Sequence, residues 1–105
     1  MGKLVRDKIP EIIEANGKVP KIRILEQQEY CRCLEEKLNE EVAEFHADKN
    51  LEELADILEV TYALAESLGY TREDLLLAYE RKHAQRGGFG KRIFLMDQEL
   101  PLTLT

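Results

Sequence analysis

No run of apolar residues in this chain approaches the roughly 20 that a membrane-spanning helix needs, so a helical membrane protein is not expected. The opening, MGKLVRDKIPEII, has no sustained apolar stretch either, which points to a soluble, unexported, cytoplasmic protein. Tryptophan is absent, and cysteine and histidine occur only twice each. Cys31 and Cys33 stand two apart in a helical stretch and so point about 200° apart around its axis. They can neither share a metal nor form an undistorted disulfide, and reduced thiols are the simplest reading. Positive charge is also scarce: 15 Lys and Arg face 21 Asp and Glu, a net charge of -6. That balance argues against a nucleic acid polymer as partner. It leaves a small phosphorylated ligand open, because a local basic cluster or a bound metal reverses the field inside one cleft.

What is present is helical patterning. At 105 residues, 44% hydrophobic and 34% charged, the chain has the size of one domain, taken here as residues 1–105. A domain this small buries a limited share of its surface, so helices rich in Leu, Ile and Ala are expected to complete their cores by pairing with another copy, as a homodimer or homotetramer. Asp7 to Ala15 fits a short helix with Pro10 in its first turn and Asn16-Gly17 as its stop. Val19 to Leu25 reads as extended. A long helix follows over roughly Leu25 to Asp48, with Tyr30, Leu34, Leu38, Val42 and Phe45 at steps of three and four. Asn50 caps the next helix, with Glu53 placed to complete a capping box, and Gly69 ends it. Thr71 and Asp74 open a further helix that Gly87-Gly88 terminates. Beyond Lys91, Ile93 to Met96 suit a docked extended segment, and Pro101 interrupts the end. The expected fold is all-α, a bundle of about four helices with short extended N- and C-terminal segments, completed by oligomerisation.

The chemistry lies in two acid pairs. Glu41 and Glu44 are three residues apart, so on a helix they sit about 60° apart and roughly 4.5 Å along the axis, close enough to converge on one cation. Glu41 also falls between Tyr30 and Leu34 in projection, inside the apolar stripe, whereas Glu40 points away. An uncompensated carboxylate on a buried face costs several kcal/mol or takes up a proton, so something positive should answer it. The next helix repeats the spacing with Glu53 and Asp56, and the short turn between makes the two helices antiparallel neighbours. That helix is apolar almost all round, as expected at the centre of a bundle, which places its acids in a cleft.

One acid pair in so charged a chain is ordinarily solvated surface. Two pairs on consecutive helices, one acid of which lies in an apolar stripe, bring a metal site level with that solvated reading. Oxygen-only ligation selects Mg²⁺ or Mn²⁺ over zinc. A di-iron bundle needs Glu-x-x-His twice; Glu80 and His83 supply it once, and His46 has Ala43 where the second Glu belongs, so both histidines read as surface or boundary residues. Lys82 and Arg86 share a face at the end of the fourth helix and suit phosphate oxygens, though such a pair also serves simply to offset the helix dipole. Lys37, one turn before Glu41, carries the same two readings.

Taken together, KLVRDKIPEII, KLNEEVAEF, EELADILEV and KHAQRGGFGKRIFL resemble the MazG-like superfamily of all-α nucleoside triphosphate pyrophosphohydrolases, near its phosphoribosyl-ATP pyrophosphohydrolase-like branch. The resemblance covers most of the chain and implies a helical bundle, usually a dimer or higher oligomer. It implies that Glu41, Glu44, Glu53 and Asp56 bind Mg²⁺ and act in catalysis. It also implies cleavage between the α- and β-phosphates of a nucleotide, releasing a monophosphate and pyrophosphate, often to clear non-standard nucleotides. The spacer at residues 45–52 is shorter than is common in the superfamily. Lys37, Lys82 and Arg86 would supplement the charge on the polyphosphate, and Lys3, Arg6 and Lys8 would close over it from the N-terminal segment. Two other classes compete: a non-catalytic helical dimerisation or interaction module, and a nucleotide-binding regulator without turnover.

Overall fold

A computed structural model describes residues 2–96, and over them the chain forms four α-helices and no strand. They are α1 (Ile9–Ala15), α2 (Gln27–Asp48), α3 (Leu51–Ser67) and α4 (Arg72–Arg86). The backbone separates into two compact units, one ending at Leu75 and the other beginning at Leu76 within α4.

The caps explain where the helices stop. Pro10 sits in the first turn of α1, where its missing N–H costs no hydrogen bond, and Gly17 ends the helix at φ 85°. Residues 18–26 have no regular structure; the stretch read as extended forms no strand, and its Arg23 clasps Glu29 of α2 through two hydrogen bonds of 3.0 and 2.6 Å. Lys49, not a glycine, takes the left-handed conformation (φ 49°) that closes α2, its N–H reaching the Phe45 carbonyl at 2.7 Å. Asn50 then caps α3, its Oδ1 accepting from the Glu53 N–H at 3.0 Å. Glu53 does not complete a capping box, because its carboxylate turns toward the other acids. Thr71 and Asp74 do form the reciprocal box at the start of α4, at 2.9 and 3.0 Å.

With only Lys49 and Asn50 between them, α2 and α3 fold back as an antiparallel hairpin that packs along its length. Gln27 Nε2 donates to the Ser67 carbonyl at 2.9 Å, tying the open ends together. Leu34 of α2 and Val60 of α3 are the buried apolar residues of this seam, and Glu41 is buried with them. On the opposite arc of α3, Leu51, Leu54 and Leu58 are 76%, 47% and 50% exposed. Ile93, Phe94, Leu95 and Met96 are likewise exposed rather than docked, and Pro101 lies outside the described residues. No described helix is long and apolar enough to cross a membrane.

Candidate metal centre

The hairpin brings the two acid pairs together as their spacing implied. One carboxylate oxygen from each of Glu41, Glu44, Glu53 and Asp56 lies within 4.8 Å of the others. An ion ligated at about 2.1 Å spans trans oxygens of about 4.2 Å, so a contraction of a few tenths of an ångström closes the four acids on Mg²⁺ or Mn²⁺. They differ in shelter. Glu41 is buried, Glu53 and Asp56 are half-buried, and Glu44 is exposed, so the site opens on one side.

Two oxygens of this cluster, Glu41 Oε2 and Glu53 Oε2, are shielded from solvent and have no hydrogen-bond partner. Buried polar atoms are nearly always paired, and an orphaned carboxylate oxygen is a ligand position for a cation or a site of proton uptake. Burial, followed by the adjacent Glu44, raises the Glu41 carboxyl above the ordinary carboxylate range. Loss of solvent and then Glu44 raise Glu53 in the same direction. All-oxygen donors, a surplus of negative charge and open ligand positions together suit a hard divalent cation.

Basic side chains answer part of that charge. Lys37 is half-buried, with Nζ 3.8 Å from Glu41 Oε1 and 3.4 Å from Glu40 Oε1. Arg6 Nη2 lies 2.6 Å from Asp56 Oδ1. Arg6 thus sits on a candidate metal ligand, a pairing that no spacing could reveal because fifty residues separate the two. Lys3 and Lys8 flank it in the same N-terminal segment.

That segment forms one wall of a cleft of about 650 Å³ whose other wall is the α2–α3 seam. Lys37, Glu41 and Asp56 line the acidic part, and Tyr30, Ala63 and Glu66 line the part toward the open ends of the hairpin. Burial, with Glu66 and Asp7 adding to it, pushes the Tyr30 phenol up. Glu59 and Glu66 were not among the sequence-derived site residues. Their signal was present in the steps Asp56, Glu59, Ala63 and Glu66, which keep one face of α3 turned to the cleft. Lys82 and Arg86 belong to the second unit, where both are exposed near the end of α4. His83 lies near Gly88 and tilts against the Tyr79 ring, with centroids 5.8 Å apart.

The sequence matches no family model, and no solved structure matches it. It is similar to an uncharacterized protein of Mycolicibacterium smegmatis (strain ATCC 700084 / mc(2)155), with 55% identity over 47 residues, 45% of this chain and 48% of that protein. The match spans about half the length of this curated relative.

Proposed function

We propose that the chain is a cytoplasmic, Mg²⁺-dependent nucleotide pyrophosphohydrolase that cleaves the α–β phosphoanhydride of a nucleoside triphosphate or related nucleotide, with clearance of non-standard nucleotides as its role. The observation that carries this reading is the convergence of four carboxylates on one sheltered point, with two buried oxygens lacking any partner. The resemblance of the acid motifs to MazG-like pyrophosphohydrolases supplies the reaction class.

A divalent cation held by Glu41, Glu44, Glu53 and Asp56, Mg²⁺ or in its place Mn²⁺, supplies Lewis acidity toward phosphate oxygens and toward water. The four acids hold that charge beside the cleft, which Glu41 and Asp56 line, and one of them accepts the proton of the attacking water. The water oxygen ends on the monophosphate as the bond to the departing pyrophosphate breaks. Lys37, Arg6, Lys3 and Lys8 line the same cleft and offset the negative charge of the polyphosphate. Lys82 and Arg86 are offered as further phosphate contacts on their similarity to the resembled motif alone. The Tyr30 end of the cleft takes the nucleoside.

The exposed arc of Leu51, Leu54 and Leu58 supports a second part of the proposal, a homodimer or homotetramer that covers it. Pyrophosphate release from a panel of canonical and damaged nucleotides, with and without Mg²⁺, tests the activity. Glu41→Ala and Asp56→Ala should each abolish Mg²⁺-dependent release while retaining the helical circular dichroism spectrum. Full activity in either variant would refute the assignment. Binding of metal and triphosphate without release would instead favour a nucleotide-binding regulator.

A further inference from the structure

We infer that Arg6 is a resident counter-ion of Asp56 which a divalent cation must displace, so that filling the acidic site releases the N-terminal wall of the cleft and frees the Arg6 guanidinium for the phosphates. This rests on the metal-site reading above and concerns its regulation. Three observations carry it. Arg6 Nη2 donates to Asp56 Oδ1 at 2.6 Å, which among the described residues is the one side-chain hydrogen bond joining residues 2–8 to the hairpin. The side chains of the pair are 56% and 37% exposed, so water and ions reach it and the exchange of partners is easy. The deeper oxygens, Glu41 Oε2 and Glu53 Oε2, are not reached by Arg6 and stay without a partner. The guanidinium therefore satisfies the rim of the cluster and leaves its floor open to an ion.

A guanidinium on Asp56 and a divalent cation on the same four acids repel each other and compete for one acceptor. Each occupancy weakens the other, and the coupling is reciprocal. Residues 2–6 have no regular structure, and although the Arg6 carbonyl accepts from the Ile9 N–H at 3.0 Å at the turn into α1, its side chain can leave Asp56 without breaking a helix. The released side chain remains beside Lys3 and Lys8 on the cleft wall, where a metal-bound polyphosphate presents new acceptors. Metal and nucleotide together thus re-close a wall that metal alone opens.

Calorimetry with Mn²⁺ alone, on the full chain, provides the test. Arg6→Ala should bind Mn²⁺ about threefold to fivefold more tightly than the unaltered protein, the range expected when an exposed pair is removed. Lys8→Ala removes one positive charge from the same segment without touching Asp56, and its gain should be smaller. In parallel, the Arg6 Nε–Hε NMR resonance should show a held guanidinium in chelator and a freely rotating one once Mg²⁺ saturates the site. Equal affinity in Arg6→Ala and Lys8→Ala, or an Arg6 signal that stays held at saturation, would overturn the inference while leaving the metal site standing. No binding of Mn²⁺ by any of the three proteins would overturn both.

Discussion

Glu41 is placed where a carboxylate is least comfortable, buried like Leu34 and Val60 of the seam and one turn from Glu44. Its pKa and that of Glu53 are raised in the folded chain by loss of solvent and by Glu44, so between the ordinary carboxylate pKa and the raised value the folded state holds protons that the unfolded state has lost. Stability of the metal-free protein must then rise as pH falls through that window and level off below it. Glu29 runs the other way, lowered by Arg23, but what it adds is lost only below the ordinary carboxylate pKa, so the two effects occupy different ranges. Melting curves in chelator should therefore shift upward from pH 7.5 toward pH 5. Glu41→Gln should mimic this at neutral pH, raising the melting temperature in chelator above that of the unaltered protein. It should also lose on the order of 100-fold in Mn²⁺ affinity. A neutral-pH melting point lowered by Glu41→Gln would contradict this account. The burial of Glu41 is legible in the sequence because an acid inside an apolar stripe breaks a pattern. The hold of Arg6 on Asp56 was not, since a contact across fifty residues between a coil and a helix leaves no periodic trace.

At the scale of the elements, the hairpin is defined by its ends. Lys49 pays the strain of a left-handed conformation that glycine adopts freely, and Asn50 at once starts the next helix. Losing that cap should be felt at the site, because the first turn of α3 carries Glu53. Asn50→Ala is expected to cost about 1 kcal/mol in chelator, measured by urea unfolding, and to weaken Mn²⁺ binding as Glu53 loses its fixed position. An unchanged midpoint would show that packing along α2 alone fixes the start of α3. The helices themselves were readable because Gly17, Gly69 and Gly87 stand where left-handed backbone ends them and because Thr71 and Asp74 form their reciprocal box. The side-chain half of the Asn50–Glu53 box was misjudged: a glutamate that fits a local motif here serves a contact in space instead. The stretch before α2 reads as extended, and with no neighbouring strand among the described residues it stays without regular structure.

For the whole molecule, the sparse interior is the governing fact. Among the described apolar residues, only Leu34 and Val60 are buried, a small interior to set against the conformational entropy of a helical chain. The uncovered Leu51, Leu54 and Leu58 arc is the natural place for a second copy, and the proposed oligomer makes a melting temperature that climbs with protein concentration. Leu54→Glu with Leu58→Glu should shift sedimentation to the monomer and remove most of the cooperative melt. Retention of the oligomer would place the interface elsewhere. The sequence leads one to expect α3 at the centre because it is apolar nearly all round, whereas Leu51, Leu54 and Leu58 on one arc of it are exposed; the pattern of a helix does not say what covers each of its sides.

The two-residue link between α2 and α3 has a kinetic corollary. All four acids lie within one contiguous stretch, from Glu41 to Asp56, so their encounter requires only the closing of a short turn and precedes contacts such as Arg6 with Asp56. The nascent hairpin must therefore draw like charges together before its distant counter-ion arrives. If the proposed cation binds the nascent hairpin, refolding should be faster in Mg²⁺ than in chelator, which stopped-flow measurements check.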